Sequence, residues 1–251
     1  MKLALWQGNS PASDIAKALA EAEAALDAAG RLGTDCLVLP ELWLPGYNQP
    51  SIAEMALRQG APELRALANM CKAANCGLVI GYAENAGGIC YNSALALDRQ
   101  GNQIAHYRKV QLYGAREKAL FRAGDAYTTF DLNGTKAAIL ICYDVEFSHH
   151  VAEMAAAGVK VLLVPTANMT PFDHVVRHTV PTMSANHGLT IIYANYCGVE
   201  GDLTYLGGSL ITGPHGEVVA QAGTQPALLI TEIPVVDPTR LSTQAQDIRR
   251  I

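Results

Sequence analysis

A cysteine, a glutamate and a lysine each follow a strand-like run of residues, at three separate places in the chain of 251 residues. Cys142 comes after the apolar residues 137–141 and opens a polar stretch that predicts a helix. Glu41 ends the run at 37–41, and Lys109 ends the run at 105–109. A thiol, a carboxylate and an ammonium group that meet at strand ends could attack an acyl carbon, accept a proton and stabilise an oxyanion.

The thiol of Cys142 must lose its proton before it can act as a nucleophile. The thiolate is the reactive form, and a free thiol with a pKa of about 8.5 is mostly protonated at neutral pH. Glu41 could accept the proton, and Lys109 could lower the pKa of the thiol. Pro40 and Pro45 predict a rigid, partly apolar setting that raises the pKa of Glu41. Taken one at a time, the three residues are better explained as a core cysteine, a loop carboxylate and a surface lysine, so the prediction depends on their combination.

The composition is typical of a well-packed globular protein, since 50% of the residues are hydrophobic and 16% are charged. A formal net charge of −5 gives no electrostatic reason to expect nucleic acid or an anionic membrane as a partner. The apolar start of the chain is too short for a signal peptide, and no apolar run approaches the roughly 18 residues that span a bilayer. We therefore expect a soluble, cytoplasmic protein.

The six cysteines do not indicate a metal site. They are scattered along the chain without a CxxC pair, and the spacing of Cys71 and Cys76 fits no common zinc motif. We expect reduced thiols, most of them small core residues.

Strand and helix patterns alternate along the chain, and both halves also contain hairpins. Strands are predicted at 3–7, 36–39, 77–82, 91–97, 103–108, 127–132, 135–142, 159–164, 190–196, 206–212, 217–220 and 228–233. Helices are predicted from Ile15 to about Gly30, from Pro62, at about 148–157 and at about 175–187, with residues 10–13 as the first cap. This mix predicts an α/β fold with two mixed sheets face to face and helices outside, a four-layer αββα sandwich. No linker is evident, so we expect one domain over residues 1–251.

The order of three motifs resembles the nitrilase superfamily of carbon–nitrogen hydrolases. The motifs are PELWLPGY at 40–47, YRKVQL at 107–112 and CYD at 142–144. The resemblance extends to GGSLI at 207–211 and to a closing DIRR at 247–250, and thus covers nearly the whole chain. It implies an αββα sandwich, a homodimer of αββα–αββα type, and a Glu-Lys-Cys triad that uses no metal and no cofactor.

The resemblance also implies a role for each matching residue. Glu41 corresponds to the general base, Lys109 to the oxyanion stabiliser and Cys142 to the nucleophile, and the backbone N–H of Tyr143 would join Lys109 in holding the oxyanion. Glu117 matches a second glutamate that orients the lysine and the substrate nitrogen. Without the resemblance, Glu117 would be explained as a surface residue paired with a neighbouring cation.

Two residues after the cysteine favour the amidase branch. Nitrilases of this family usually carry tryptophan and glutamate there, whereas this chain has Tyr143 and Asp144. We expect hydrolysis of a small non-peptide amide to a carboxylic acid and ammonia through a thioester. Some branches place an arginine near the position of Glu146, and an acid there would favour neutral or cationic amides if it faces the pocket. Glu146 is equally compatible with the outer face of the next helix.

The expected substrate pocket is aromatic, with Asn168 at its rim. Its predicted walls are Trp43, Tyr47, Tyr113, Tyr143 and Phe147. Two other functions stay open: a nitrilase or N-carbamoyl amidohydrolase, and a non-catalytic binding protein on the same fold.

Several other polar residues are given structural explanations. His174 and His178 have a zinc-binding spacing but no HExxH motif, so a solvated helix face is favoured. Adjacent histidines at 149 and 150 point in different directions on a helix, so at most one could face the site. Ser209 lacks the frame of a serine nucleophile and is expected to be a strand contact. Asn92 and Asn195 are expected to satisfy backbone groups.

Overall fold

The structure, a computed structural model, describes residues 1–247 and 249, with Ala245 described by its backbone alone. Of the closing motif at 247–250, Ile248 and Arg250 lie outside the described residues. The described helices are α1 (Ile15–Arg31), α2 (Pro62–Ala74), α3 (Gly114–Leu120), α4 (Ser148–Ala156), α5 (Val180–His187) and α6 (Gln244–Asp247). Short 3₁₀ turns occupy Cys142–Glu146 and Pro238–Arg240, and a π-helical turn occupies Val175–Thr179. None of the described helices is long and apolar enough to cross a membrane.

The described strands form two six-stranded sheets and a small ribbon. The strands are β1 (Lys2–Gln7), β2 (Cys36–Val38), β3 (Gly77–Ala86), β4 (Ile89–Leu97), β5 (Gln103–Arg108), β6 (Thr129–Leu132), β7 (Thr135–Ile139), β8 (Val161–Pro165), β9 (Thr190–Ala194), β10 (Val199–Glu200), β11 (Leu203–Thr204), β12 (Leu210–Thr212), β13 (Val218–Gln221) and β14 (Ala227–Glu232). The first sheet has the order β14–β1–β2–β3–β4–β5, the second has the order β13–β12–β9–β8–β7–β6, and β10 pairs with β11.

Each sheet has three parallel strands with antiparallel strands on either side. Strands β1, β2 and β3 are parallel, with Leu5 opposite Val38 and Val38 opposite Val79. Strands β7, β8 and β9 repeat this arrangement in the second sheet. Parallel strands end at the same edge of a sheet, where the segments that follow them commonly build ligand sites. The residues after β2, β7 and β8 are therefore brought to one end of the sandwich.

Successive side chains of a strand point to opposite faces of the sheet, and both faces of each sheet are apolar here. Leu3 and Leu5 of β1 belong to the core between the sheets, together with Ile139 and Leu163 of the second sheet. Ala4 points the other way, into the layer formed by α1 and α2. Helices α4 and α5 pack on the second sheet through residues such as Val151 and Val180. The predicted sandwich of two mixed sheets with helices outside is confirmed.

The helix ends differ from the prediction at two places. Residues 10–13 do not cap α1: Asp14 does, through a hydrogen bond from the Lys17 N–H to Oδ1 at 2.9 Å, while Ala12 and Ser13 adopt positive φ angles. The helix predicted at 175–187 is continuous, but it begins with a π-helical turn before α5. Pro181 explains this irregular start, because proline has no N–H to donate and its ring displaces the carbonyl one turn earlier.

Candidate active site

Glu41 lies three residues beyond the end of β2, where the chain crosses the edge of the first sheet. Its N–H donates to the Thr166 carbonyl at 3.3 Å, and its carbonyl accepts the hydroxyl of Tyr196 at 2.9 Å. Gly81 lies against this segment, so that a Cβ there would come within 2.7 Å of the Glu41 Cα. The glycine is needed for the close approach of β3, and it fixes the backbone from which the carboxylate projects.

Lys109 lies directly after β5 and continues its pairing with β4, through a hydrogen bond from its N–H to the Asn92 carbonyl at 2.8 Å. Its side chain is completely buried between two carboxylates. Nζ lies 2.6 Å from Glu41 Oε1 and 2.9 Å from Glu117 Oε1. Both glutamates are also fully buried. The predicted grouping of Glu41, Lys109 and Glu117 is thus present in the structure.

Glu117, near the start of α3, is held by three donors. Besides Lys109, Glu117 Oε1 accepts the hydroxyl of Tyr47 at 2.7 Å, and Glu117 Oε2 accepts the N–H of Tyr113 at 2.9 Å. Arg116 fixes the neighbouring loop by donating to the carbonyls of Tyr47 and Gln49 at 2.9 and 3.0 Å. The alternative explanation of Glu117 as a surface residue is wrong.

The two oxygens of Glu41 have different surroundings. Oε1 accepts from Lys109 and from Asn92 Nδ2, the latter at 2.7 Å, whereas Oε2 is buried and has no hydrogen-bond partner among the described residues. Burial is the largest effect on this carboxyl and, against the opposing effect of Lys109, raises the pKa of Glu41 to about 7. The prediction that Asn92 satisfies backbone groups missed this contact between its side chain and Glu41.

Lys109 and Cys142 titrate well above their ordinary ranges, for different reasons. Burial alone would lower the pKa of Lys109, but Glu41 and Glu117 together outweigh it and raise that pKa well above its usual value. Burial and then the nearby Glu41 raise the pKa of the Cys142 thiol, while Lys109 acts in the opposite direction. The free protein therefore holds a charged lysine beside a neutral thiol.

Cys142 opens the 3₁₀ turn after β7 and has a φ angle of +46°, a conformation that non-glycine residues rarely adopt. Tyr143 is the second residue of this turn, where a backbone N–H has no acceptor within the turn itself. The thiol and an N–H that has no acceptor within the turn thus occur next to each other at a strand end.

Cys142 opens onto a cavity of about 210 Å³. The cavity is lined by Tyr47, Tyr113, Cys142, Tyr143, Glu146, Ala167, Asn168, Met169, Phe172 and His174. The structure therefore places most of the predicted pocket residues on its wall, including Glu146 and Asn168. Ala167, Met169, Phe172 and His174 were not predicted as wall residues, because they lie on the segment after β8, which carries no recognisable motif.

Two predicted wall residues do not line the cavity. Trp43 is completely buried on the helix side of the first sheet, where it stacks on Tyr196 at 5.7 Å and donates to the Ala18 carbonyl at 3.0 Å. Leu42, with a φ of +50°, turns the chain so that Glu41 and Trp43 point to different sides. Phe147 packs edge-on behind Tyr143 at 4.8 Å and supports that wall residue.

The histidines agree with the sequence analysis, with one addition. His174 is exposed in a helical segment, as predicted, and it also lines the cavity. His150 faces Tyr127 and Gln111, with Nδ1 2.6 Å from the Tyr127 hydroxyl and Nε2 3.4 Å from Gln111 Oε1. Neither of the adjacent histidines at 149 and 150 lines the cavity. The described residues contain no group of three or more His, Cys, Asp or Glu side chains placed to hold a metal ion.

Asn195 and Ser209 have the structural roles expected of them. Asn195 accepts the N–H of Asn168 and donates to the carbonyls of Asn168 and Gly207. Ser209 Oγ accepts the N–H of Asn195 at 2.8 Å. These bonds fix the segment after β8 that forms one wall of the cavity.

Comparison with known proteins agrees with this arrangement. The carbon-nitrogen hydrolase family matches residues 2–241. The chain belongs to this family. A hydrolase from Pseudomonas protegens, named for its position in the pqqF 5′ region, is 37% identical over 235 residues, which cover 92% of this chain and 81% of the relative. An (R)-stereoselective amidase from a Pseudomonas species is 30% identical over 202 residues, which cover 80% of this chain and 73% of the relative.

The fold is similar to that of a solved amidase. The amidase from Nesterenkonia sp. AN1 has a TM-score of 0.90 and 31% identity, over 99% of this chain and 96% of that chain. Structures of that amidase include one with acrylamide added to the active-site cysteine and one of a variant in complex with butyramide. This carbon–nitrogen hydrolase is thus an enzyme of the nitrilase superfamily and its amidase branch. Its assembly state, location in the cell and single-domain organisation stay predictions.

Replacement of Lys109 by methionine should destabilise the protein most at alkaline pH. The variant leaves two buried carboxylates without their cation, and breaking a buried pair costs about 3–5 kcal/mol. Burial already raises the pKa of Glu41, and loss of the opposing Lys109 would raise it further above the unfolded value, so stability is retained at acidic pH and lost as the pH rises. Urea unfolding of Lys109→Met and wild type at pH 5.5 and pH 8 measures this difference.

The matched control is Lys136→Met, because Lys136 is an exposed lysine that donates to the Ala157 carbonyl at 2.6 Å. It should change the stability by less than about 0.5 kcal/mol at both pH values. A Lys109→Met protein as stable as wild type at pH 8 would contradict a charged lysine between two carboxylates.

Proposed function

We propose that this carbon–nitrogen hydrolase converts small, non-peptide primary amides to carboxylic acids and ammonia through a thioester on Cys142. The observation that carries the proposal is the opening of Cys142 onto the cavity, beside the buried network of Glu41, Lys109 and Glu117. In this proposal Cys142 is the nucleophile, Glu41 the general base and Lys109 the oxyanion stabiliser.

Proton transfer accompanies the attack in this mechanism. A thiolate formed in advance would add a second negative charge beside Glu41, and burial further disfavours it. Oε1 of Glu41 is already occupied by two donors, so Oε2 is the oxygen available to receive the thiol proton. With a pKa of about 7, Glu41 is basic enough to accept the proton near neutral pH and acidic enough to return it.

The oxyanion of the tetrahedral intermediate has two donors of different kinds. An ammonium group has three N–H bonds, and in Lys109 two of them are directed at Glu41 and Glu117. The third is available to the oxyanion, together with the backbone N–H of Tyr143. Glu117 has a positioning role, because its bonds to Tyr47 and Tyr113 hold Lys109 in place.

The same residues complete the catalytic cycle. Glu41 gives its proton to the amide nitrogen, the C–N bond breaks, and ammonia leaves a thioester on Cys142. Glu41 next takes a proton from water, whose oxygen attacks the thioester carbon. Collapse of this second intermediate releases the acid, and Glu41 returns the proton to the sulfur.

The cavity supports a small acyl group. Its volume of about 210 Å³ is below the range of about 300–1,000 Å³ that is typical of pockets for drug-sized ligands. Tyr113, Tyr143 and Phe172 meet edge to face on its wall, with ring centroids 5.3 and 6.0 Å apart. Short aliphatic or compact aromatic amides fit this space, and the likeness to an amidase solved in complex with butyramide supports the same size class.

The direct test is ammonia release from a panel of primary amides, with Cys142→Ala as the matched variant. Wild type should turn over short amides, whereas Cys142→Ala should lose activity by at least about 10⁴-fold because no acyl-enzyme can form. Intact mass spectrometry of wild type under turnover should detect the acylated protein.

Nitriles and N-carbamoyl amines of equal acyl size are assayed beside the primary amides. If either class is hydrolysed faster than the amides, that class is the preferred substrate instead. Measurable hydrolysis by Cys142→Ala would refute its role as nucleophile, and a wild type without any hydrolysis would favour a binding protein on this fold.

The pH profile should report Glu41. Its carboxylate form is the base, so kcat/KM should fall as the pH drops below about 7. Asn92→Ala removes a hydrogen bond that favours the charged form, which raises the pKa of Glu41 and moves the acidic limb to higher pH. Initial rates between pH 5 and pH 9 for both proteins measure the shift. If the acidic limb of the Asn92→Ala profile stays in place or moves to lower pH, Glu41 is not the base.

Glu146 should set the charge preference of the cavity. It lies on the cavity wall, where burial raises its pKa against the opposing effects of His174 and Lys109. Glu146→Gln should increase kcat/KM for amides with an anionic tail relative to neutral amides of equal length, by about tenfold, since a like charge is removed. The exposed Glu153 of α4 provides the control variant Glu153→Gln, which should leave the ratio unchanged. Equal ratios in all three proteins would exclude a role of Glu146 in substrate selection.

A further inference from the structure

Asp144 is a completely buried carboxylate that is not a member of the proposed catalytic set. It lies two residues after Cys142, inside the 3₁₀ turn. Its carboxylate accepts three hydrogen bonds, from a residue of β5 and from the segments that follow β5 and β7. Oδ1 accepts the N–H of Gln111 at 2.7 Å, and Oδ2 accepts the hydroxyl of Tyr107 at 2.8 Å and the N–H of Ile141 at 2.9 Å.

These three donors lie next to the reacting groups. Tyr107 belongs to β5 and Gln111 to the segment just beyond it, so they flank Lys109 in the sequence by two residues on either side. Ile141 directly precedes Cys142. One carboxylate therefore joins the segment that carries the lysine, from the first sheet, to the turn that carries the thiol, from the second sheet.

The turn needs such support because of its backbone conformation. The positive φ of Cys142 is unfavourable for a residue with a side chain and persists only when surrounding contacts enforce it. Asp144 provides two of these contacts, since its N–H also donates to the Ile141 carbonyl at 3.0 Å. Val145, completely buried in the core between the sheets, anchors the other side of the turn.

We propose that Asp144 is a positioning residue that fixes the distance and orientation between Cys142 and Lys109, and directs the N–H of Tyr143 toward the oxyanion. This inference rests on the proposed function but concerns a residue that touches neither substrate nor reacting atoms. Active-site groups must be held within about 0.5 Å of the productive geometry, and here the two groups come from separate sheets. A single buried acceptor for both segments meets this requirement.

An amide in place of the carboxylate cannot keep all three bonds. If the oxygen of an asparagine takes the position of Oδ1, its NH₂ group faces the N–H of Ile141; if it takes the position of Oδ2, its NH₂ group faces the N–H of Gln111. A hydroxyl such as that of Tyr107 can rotate, but a backbone N–H cannot become an acceptor. Either orientation therefore loses one backbone hydrogen bond, from the lysine segment at Gln111 or from the cysteine turn at Ile141.

The experiment compares wild type with Asp144→Asn at a temperature well below the unfolding midpoint of both proteins. We expect kcat for a primary amide to fall by about 10²-fold, as a misplacement of about 1 Å does, while KM changes far less. Alkylation of Cys142 by iodoacetamide, localised by mass spectrometry, should slow by about tenfold, because the thiol is no longer held beside its base. Loss of packing alone would lower the unfolding temperature without altering the alkylation rate of the folded protein.

The control is Asp35→Asn, at the opposite end of the sandwich. Asp35 also joins the two sheets through three donors: the N–H of Lys2 at 2.7 Å, Asn133 Nδ2 at 2.8 Å and the guanidinium of Arg99. This variant should lose stability but keep kcat and the alkylation rate within about twofold of wild type.

A folded Asp144→Asn protein with wild-type kcat and alkylation rate would overturn the inference, and so would equal losses in Asp35→Asn. If Asp144→Asn does not fold, Tyr107→Phe removes one bond to the same carboxylate and should lower kcat by a smaller factor; an unchanged kcat would overturn the inference. A wild type without amide turnover would contradict the proposed function, while the alkylation rates would still report whether Asp144 positions Cys142.

Discussion

A lysine held without solvent between two glutamates is the interaction on which the remainder of the site depends. Removing an ion from water costs several kcal/mol even after relaxation, and three such groups are removed here at once. The arrangement is stable because most of its oxygens accept hydrogen bonds: Glu117 is held by Tyr47 and Tyr113, and Oε1 of Glu41 by Lys109 and Asn92. One carboxylate oxygen is left over, and it belongs to the residue proposed as the base.

The fold explains why such a network can be assembled from distant parts of the chain. Two sheets with parallel strands at their centres are stacked so that β2 and β7 end at the same end of the sandwich, and β5 ends close by. The first sheet contributes Glu41 and Lys109 and the second contributes Cys142, each on a short, tightly bonded segment rather than on a long loop. Contacts across the interface, above all those of Asp144, then set the distances between groups that no local sequence preference could specify.

The sequence predicts well which strand ends come together, because the residues concerned follow strong apolar runs and match three separated motifs. Glu41, Lys109, Glu117 and Cys142 are found together, and the sandwich of two mixed sheets follows from alternating strands, helices and hairpins.

The direction of a side chain is harder to predict. Trp43 lies only two residues after Glu41, yet its side chain points into the helix layer. The reason is the positive φ of Leu42, which the residue type does not indicate. His174 and Phe172 were missed because their place on the cavity wall depends on how the segment after β8 folds back. Asn92 was assigned to the backbone because an asparagine in a strand carries no sign of a partner that lies 51 positions earlier.

The unpartnered Oε2 of Glu41 also has a consequence for inhibitor design. None of the described residues donates to this oxygen, so a bound molecule that places an N–H or O–H there adds a hydrogen bond to a buried carboxylate. A compound with such a donor next to an electrophilic carbon should therefore bind more tightly than an isosteric compound in which the donor is a methylene.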